Sequence, residues 1–424
     1  MASATDGVET TLEPELADFL RPRLRLFLSA DLVGSTSFKQ SGSLPVREPA
    51  PDATLATLGA QWFDPIAQFY AQIERLFSEE WRAYVEEVAP QCRWPSPVSS
   101  PELWKANGDE LIYVLEVRQV REAYAAVLAW MRTLRGYRES LHLSFPSLDV
   151  KAAAWTAGFP LGNVEVVFRR NVGGQDDPEA RYGFDQARLV HYLRLERWYE
   201  AEKESGHGGA TGLVKDYIGP SMDLGFRIAA RATPRKFSVT ADLALMLAHA
   251  DPPTPYFTDK LSRPFFDPIH LRYEGGAELK GVLGGKPYPF FWIDMLHDDD
   301  FLRAEDRLLG QEPCPAEKVK AFCNPFFERH ARHLMRPFMT GCDVAELGDP
   351  PANYLAHLRR IDGLWRDEKA RYDREEQGLE GRGPDVGGTA VVSVDDEAAA
   401  SFAQALPGPG GAVPGAGGGA AGET

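Results

Sequence analysis

The stretch RLRLFLSADLVGSTSFK, from Arg23 to Lys39, is where the chain first shows its architecture. Its apolar run over residues 24–31 predicts a buried strand. The strand ends on Asp31, and a Gly-Ser-Thr turn with free backbone N–H groups begins at Gly34. A carboxylate beside such a turn can hold a metal ion opposite a phosphate. It can also cap the turn or a helix, which is the commoner role of an aspartate before Gly-Ser.

A second informative stretch, LWKANGDELIYVLEV, runs from Leu103 to Val117. Its two β-type runs meet at Asn107 and the glycine that follows, and an Asn-Gly dipeptide between apolar runs predicts a hairpin. Asp109 then lies at the tip of that hairpin. Two carboxylates on adjacent strand ends, here Asp31 and Asp109, suit a pair of Mg²⁺ or Mn²⁺ ions. These hard cations take oxygen ligands and leave positions for phosphate oxygens.

The rest of the chain alternates helical and strand patterns. Apolar residues at helical spacing predict helices over residues 60–88, 121–137, 184–203 and 241–250. The stretch DYIGPSMDLGFRIAARA predicts a turn that opens a further helix. Strands are predicted over residues 149–159, 236–240, 270–282 and 288–294. This mixture favours an α+β fold, with helices packed on a mostly antiparallel sheet.

Composition bounds the class of protein. At 424 residues, with 44% hydrophobic and 25% charged residues, the chain is long enough for one large or two ordinary domains. Its formal net charge of −16 argues against binding to nucleic acid or an anionic membrane, because both need a basic surface. Its four cysteines fit a reducing compartment. The sequence shows no signal peptide and no apolar run of the roughly 18 residues that a membrane span needs, so we expect a cytoplasmic protein.

Four blocks of the sequence, in order, resemble the signature blocks of class III nucleotide cyclases. They are FLSADLVGSTSF, WKANGDELIYV, DYIGPSMDLGFRIAARA and ELKGV, within residues 23–295. The chain most resembles the uridylate and cytidylate cyclases of bacterial Pycsar anti-phage systems, through SADLVGST, GPSMDLGFR and its C-terminal extension. The resemblance implies a ferredoxin-like sheet and a cyclase that converts UTP to 3′,5′-cyclic UMP and diphosphate. The product would be a second messenger of antiviral defence that activates a downstream effector.

The resemblance also implies a metal site at the two strand ends. Asp31 and Asp109 would bind two catalytic Mn²⁺ or Mg²⁺ ions, with the backbone carbonyl of Leu32 as a further ligand. The triphosphate would be held by the N–H groups of the turn that follows, those of Val33, Gly34, Ser35 and Thr36.

Other blocks imply contacts to the base and the phosphates. Lys105 and Asp216, each three residues before a glycine, match positions that contact the base. Arg227 matches the arginine that stabilises charge on the α-phosphate, and Lys280 matches a lysine that reaches the terminal phosphates. The family works as a head-to-tail homodimer. The metal aspartates come from one subunit, and the base and transition-state residues from the other.

The substrate and the activity stay open at two points. Many family members have asparagine four residues before the arginine, but this chain has Asp223, which could bond a ribose hydroxyl or cap the helix. Lys105 and Asp216 are the pair that adenylate cyclases use for adenine, so ATP and CTP are alternatives to UTP. Selecting a pyrimidine needs added bulk or polar contacts beside that pair. The second class of function is a catalytically silent module that binds a nucleotide or a partner protein and regulates another protein.

These features divide the chain into four predicted parts. Residues 1–22 are an N-terminal arm and residues 23–297 the cyclase domain. Residues 298–377 are a helical extension, either a lid on the core or a sensor of infection. Residues 378–424, rich in Gly, Pro and Ala, are a disordered tail.

A second set of metal-capable residues lies toward the C-terminal end of the chain. Metal-capable side chains cluster in CNPFFERHARHLMRPFMTGC, at Cys323, His330, His333 and Cys342. The spacing lacks the close cysteine pair of a zinc site. We expect instead a buried helix that carries both histidines.

Overall fold

The computed structural model describes residues 15–41, 61–97, 99–170, 186–206, 212–250, 268–348 and 350–380. Most of the predicted N-terminal arm and almost all of the predicted tail lie outside those residues. The contacts divide the chain into two compact units, one ending at Glu368 and the other beginning at Lys369.

The described strands form one large sheet and one small sheet. They are β1 (Arg23–Val33), β2 (Glu102–Asn107), β3 (Glu110–Val117), β4 (Asp149–Phe159), β5 (Val164–Arg169), β6 (Leu213–Ile218), β7 (Lys236–Val239), β8 (Leu271–Ala277) and β9 (Tyr288–Asp294). The large sheet has seven strands in the order β2-β3-β1-β4-β7-β9-β8, and β5 pairs with β6. Every pairing in the large sheet is antiparallel except that of β4 with β7. The predicted α+β class is confirmed.

The helices supply most of one buried core. They are α1 (Ser35–Ser41), α2 (Asp64–Ala83), α3 (Ala89–Cys92), α4 (Val120–Ser144), α5 (Ala187–Ser205), α6 (Pro220–Ala229), α7 (Ala241–His249), α8 (Asp300–Leu309), α9 (Ala316–Arg329) and α10 (Ala352–Glu380). A π-helical turn, Tyr84–Val88, joins α2 to α3. Side chains of α2, α4, α7 and α9 pack with those of β1 and β3 in one hydrophobic cluster.

Strand β1 is buried on both faces. Leu26 and Leu28 join the core under the helices. Phe27 points the other way and lies against Trp155 and Tyr217, at ring-centroid distances of 5.4 and 5.3 Å. A strand covered on both faces has apolar residues at successive positions, and this explains the apolar run from which β1 was predicted. This packing makes β1 a rigid support for Asp31, which lies near the end of the strand.

The hairpin predicted from the Asn-Gly dipeptide is confirmed. Strands β2 and β3 meet there, and Gly108 adopts the left-handed conformation with φ of 69°. The hydroxyl of Tyr70, on α2, donates a hydrogen bond to the Gly108 carbonyl at 2.9 Å. Helix α2 therefore holds the tip of the hairpin from which Asp109 projects.

Three details differ from the sequence prediction. Strands β5 and β6 were not predicted. The strand predicted over residues 270–282 ends at Ala277, and Lys280 lies in the following turn, where Gly281 has φ of 77°. Helix α9 ends at Arg329, so His330 and His333 follow the helix rather than lie on it.

Gly225 of α6 packs directly against the indole of Trp155. A Cβ on Gly225 would lie 2.3 Å from the Trp155 ring, which is fully buried. We expect Gly225→Ala to lower the free energy of unfolding by about 1–3 kcal/mol, because the ring has no room to move. Denaturant unfolding measures this change.

A glycine of α4 provides the matched control for that substitution. A Cβ on Gly136 would meet Leu76 at 3.9 Å, an ordinary contact. Gly136→Ala should therefore stabilise the protein by about 0.5–1 kcal/mol, since alanine favours a helix interior. Equal losses for the two variants would contradict the close packing at Gly225.

Candidate active site

Asp31 lies inside β1 near its end at Val33, not at the last position of the strand as predicted, and it borders a small pocket. It lies opposite Glu110 of β3 and Lys151 of β4 in the sheet register. The Lys151 Nζ is 3.0 Å from Asp31 Oδ2, and about a third of each side chain is exposed. The pocket has a volume of about 220 Å³ and is lined by these three residues and by Phe226 of α6, among others. The carboxylate is thus accessible and is already balanced by one cation.

Asp109 projects from the hairpin tip toward α1. Its Oδ2 accepts a hydrogen bond from the hydroxyl of Ser35 and lies 3.3 Å from the Lys39 Nζ. Burial acts to raise the pKa of Asp109, but the Ser35 hydrogen bond, a backbone hydrogen bond and Lys39 together hold it below its usual value. The side chain is therefore a carboxylate at neutral pH.

The backbone joins the two predicted metal ligands. The N–H of Leu32, next to Asp31, donates to the Asp109 carbonyl oxygen at 3.1 Å. The pKa of Glu110 is raised by burial and also by the charges of Asp31 and Asp109. Three acidic side chains are therefore gathered at the ends of β1 and β3.

This donor set fits hard divalent cations. Carboxylate and main-chain oxygens are the ligands that Mg²⁺ and Mn²⁺ prefer. In the described part of the chain, no three His, Cys, Asp or Glu side chains form a group that could hold a metal ion by themselves. A cation here would rely on the two aspartates together with main-chain and phosphate oxygens. Lys151 and Lys39 pair with Asp31 and Asp109, respectively.

Gly34 makes the turn between β1, which ends at Val33, and α1. Gly34 has φ of 89°, and a Cβ there would lie 3.1 Å from the Ser147 carbonyl oxygen. Helix α1 begins at the next residue, Ser35, which is buried, whereas Thr36 is exposed. The N–H groups of a helix's first turn have no acceptor within the helix, which applies here to Ser35 and Thr36.

Lys105 and Asp216 meet in the structure, although 111 residues separate them in the chain. The Lys105 Nζ lies 2.9 Å from Asp216 Oδ1 and 3.1 Å from Oδ2. Strand β2 carries the lysine and β6 the aspartate. Both side chains are partly exposed, at 35% and 26%. The pair therefore presents one donor and one acceptor to a ligand.

Arg227 and the turn at Lys280 form a third element. Arg227 is on α6 and half-buried, and its Nε has no hydrogen-bond partner among the described residues. Its Nη2 lies 3.9 Å from the position that a Cβ on Gly281 would occupy. Lys280 directly precedes Gly281, so the turn that contains Lys280 lies near the guanidinium. Asp223 is exposed in the first turn of the same helix, one turn before Arg227.

The predicted site residues fall into three groups. They are the aspartates with the glycine turn, the Lys105–Asp216 pair, and Arg227 with the turn at Lys280. No hydrogen bond or ion pair between described residues joins these groups within one protomer. Phe226, next to Arg227 on α6, lines the pocket beside Asp31.

Sequence reasoning missed three residues of the site. Glu110 directly follows Asp109, and antiparallel pairing with β1 could have placed it opposite Asp31. No feature of the sequence indicated that Lys151 or Trp104 would lie at the site. The indole Nε1 of Trp104 donates to Asp216 Oδ1 at 3.0 Å, so Trp104 belongs to the Lys105–Asp216 pair.

The C-terminal cysteines and histidines do not form a metal site among the described residues. Cys323 is buried in the hydrophobic core, and its thiol is near the Ala241 carbonyl at 3.7 Å. His330 is buried with its ring 4.9 Å from that of Phe326. Cys323 and His330 therefore take part in packing of the core.

No protein-family model matches the chain, and no curated protein does either. Solved structures that resemble it include the adenylyl cyclase CyaB from P. aeruginosa, with 11% identity, 64% of this chain and 94% of that chain covered, and a TM-score of 0.36. The guanylyl cyclase Cya2 has 13% identity, covers 64% and 92%, and has a TM-score of 0.35. The guanylate cyclase domain of RhGC from Catenaria anguillulae, in complex with GTP, has 8% identity, covers 64% and 97%, and has a TM-score of 0.32.

None of the described helices combines sufficient length with sufficient apolarity to cross a bilayer.

Proposed function

We propose that this protein is a nucleotide cyclase that converts a nucleoside triphosphate into a 3′,5′-cyclic nucleotide and diphosphate. The observation that carries the proposal is the joining of Asp31 and Asp109 at adjacent strand ends, through the 3.1 Å hydrogen bond from Leu32 N–H to the Asp109 carbonyl. The glycine turn beside them offers N–H donors for a triphosphate. The resemblance of the four sequence blocks to class III cyclases gives these residues their roles.

Asp31, Asp109 and the Leu32 carbonyl would hold two Mn²⁺ or Mg²⁺ ions. Such ions lower the pKa of the ribose 3′-hydroxyl and offset charge on the phosphate oxygens. The side chains that prepare this site are Ser35 and Lys39, which keep Asp109 ionised.

The remaining residues act on the substrate directly. The 3′-oxygen attacks the α-phosphorus in line, and the bond to the bridging oxygen of diphosphate breaks. The N–H groups of Val33, Gly34, Ser35 and Thr36 hold the triphosphate in place. Arg227 and Lys280 stabilise the charge that develops on the α-phosphate and the leaving diphosphate, and such fixed charges supply most of the rate in phosphoryl transfer.

We propose that the active unit is a head-to-tail homodimer. Arg227 lies beside the turn that contains Lys280, and no polar contact among the described residues links either residue to the aspartates of the same protomer. A second protomer would bring its own Arg227 to the first protomer's Asp31. Each dimer then has two equivalent sites, as two-fold symmetry requires.

The proposed substrate is UTP, on the basis of the resemblance to the Pycsar pyrimidine cyclases. Lys105 can donate to uracil O4 while Asp216 accepts from N3–H. The same pair can bond N3 and the amino group of cytosine, or N1 and the amino group of adenine, so CTP and ATP are the alternatives. Cyclic UMP would then act as a messenger to a downstream effector in antiviral defence.

Incubation of the purified protein with ATP, GTP, CTP or UTP, each with Mn²⁺, tests the activity and the substrate together. We expect cyclic UMP as the main product, identified by chromatography and mass spectrometry against authentic 3′,5′-cyclic nucleotides. Cyclic AMP as the main product would overturn the pyrimidine assignment. Absence of product with all four substrates would favour the silent module, for which the exposed Asp223 in place of asparagine is the supporting observation.

A further inference from the structure

Trp104 lies next to the Lys105–Asp216 pair because of a β-bulge. In the β2–β3 register Leu103 pairs with Tyr113 and Lys105 with Ile112, so Trp104 is an extra residue without a partner. Regular alternation would send Trp104 and Lys105 to opposite faces of the sheet. A bulge re-aims one side chain, and here it turns both toward the same face.

Trp104 contacts both members of the pair. Its Nε1–H donates to Asp216 Oδ1 at 3.0 Å, and the Lys105 Nζ lies 4.4 Å from the centroid of its ring. Asp216 Oδ1 also accepts from the Tyr217 backbone N–H at 2.9 Å. Oδ2 receives only Lys105 among the described residues, at 3.1 Å. Oδ2 is therefore the oxygen with acceptor capacity left for a base.

The indole is held firmly in this position. It meets the rings of Phe27 and Tyr217 edge to face, at centroid distances of 5.2 and 5.3 Å. Both of these rings belong to the buried cluster on this face of the sheet. Trp104 thus forms a fixed wall beside the pair rather than a side chain that can swing aside.

We propose that Trp104 determines the size of the base that this site accepts, and this inference rests on the proposed cyclase function. The Lys105–Asp216 pair reads an edge that uracil, cytosine and adenine all present, so hydrogen bonding alone does not separate one ring from two. Among the described side chains, Trp104 is a large one that contacts both Lys105 and Asp216. The Trp104 ring occupies space beside Lys105 and Asp216, so the site favours a single-ring pyrimidine. Its N–H binds Asp216 Oδ1 and thereby orients Oδ2 toward the base.

Two substitutions separate these effects. Trp104→Ala removes the wall, and we expect the ratio of purine to pyrimidine kcat/KM to rise about tenfold or more, within the range that one changed pocket contact gives. Trp104→Phe keeps most of the ring but loses the N–H. It should raise KM for UTP more than it lowers kcat, and keep the preference for pyrimidines. A ratio of two substrates is unaffected by partial loss of folded protein.

Leu103→Ala is the control, because the adjacent Leu103 is half exposed and pairs with Tyr113 of the other face. It should leave the ratio unchanged. An unchanged ratio in Trp104→Ala, or a wild-type protein that prefers purines, would overturn the inference.

Equilibrium dialysis with radiolabelled UTP and ATP makes the test independent of turnover. If the wild-type protein forms no cyclic product, the proposed function fails, but the relative affinities of wild type and Trp104→Ala for UTP and ATP still test the role of Trp104. A gain in relative ATP affinity in the variant supports the inference. Equal affinity ratios in the two proteins refute it.

Discussion

Replacement of Asp31 by asparagine is expected to lower the rate of cyclisation by more than about 10³-fold, a larger loss than that of one charge-stabilising contact. The substitution keeps the shape of the side chain but removes the charge that a divalent cation needs. Calorimetric titration with Mn²⁺ should show weaker binding in the variant. Cyclic nucleotide production with Mn²⁺ and UTP provides the rate.

The fold should tolerate this change. Asp31 has its ion pair with Lys151 at 3.0 Å, and both side chains are about a third exposed. The loss of such an exposed pair costs at most about 1 kcal/mol. The loss of activity therefore separates from any loss of structure, which thermal unfolding measures.

Glu79→Gln is the matched control for Asp31→Asn. Glu79 is also a carboxylate in one exposed ion pair, with Arg75 on α2 at 2.8 Å. Its substitution should leave the rate and Mn²⁺ binding unchanged. Near-normal activity of Asp31→Asn would remove Asp31 from the metal site, and equal losses in the two variants would indicate a general effect of charge.

Local sequence patterns predicted the parts of the fold that depend on neighbours along the chain. The apolar run before Asp31 predicts β1 because that strand is buried on both faces. The Asn-Gly dipeptide predicts the β2–β3 hairpin because only a few turn types accept a positive φ at Gly108. The positions of Asp31 near the end of β1 and of Asp109 at the hairpin tip follow from these two patterns, and their role as metal ligands stays a prediction.

Contacts between distant parts of the chain could not be predicted in the same way. Lys151 reaches Asp31 only through the pairing of β4 with β1. Trp104 reaches Asp216 only because a bulge breaks the alternation of β2. No composition or spacing signals a bulge, and regular alternation along β2 would put Trp104 on the face opposite Lys105. The roles of these residues follow from tertiary pairing, not from local preference.

Mixing two inactive variants is the second prediction with a large effect, and it tests the shared site. Arg227→Ala alone should lose about 10²–10³-fold in rate, since it removes one charge-stabilising group. Asp31→Asn damages the other half of the site. After subunit exchange in an equal mixture, about half of the dimers are mixed, and each keeps one intact site. The mixture should regain about a quarter of the wild-type rate, measured per protomer.

The control mixture combines Asp31→Asn with Asp109→Asn, which both belong to the metal half. Every dimer in that mixture has two damaged metal halves, so no activity should return. Exchange is checked by co-purification of differently tagged variants. Recovery with Arg227→Ala but not with Asp109→Asn means that Arg227 of one subunit completes the Asp31 site of the other. If mixed dimers form and neither mixture recovers, each protomer carries a complete site, and the head-to-tail assignment is wrong.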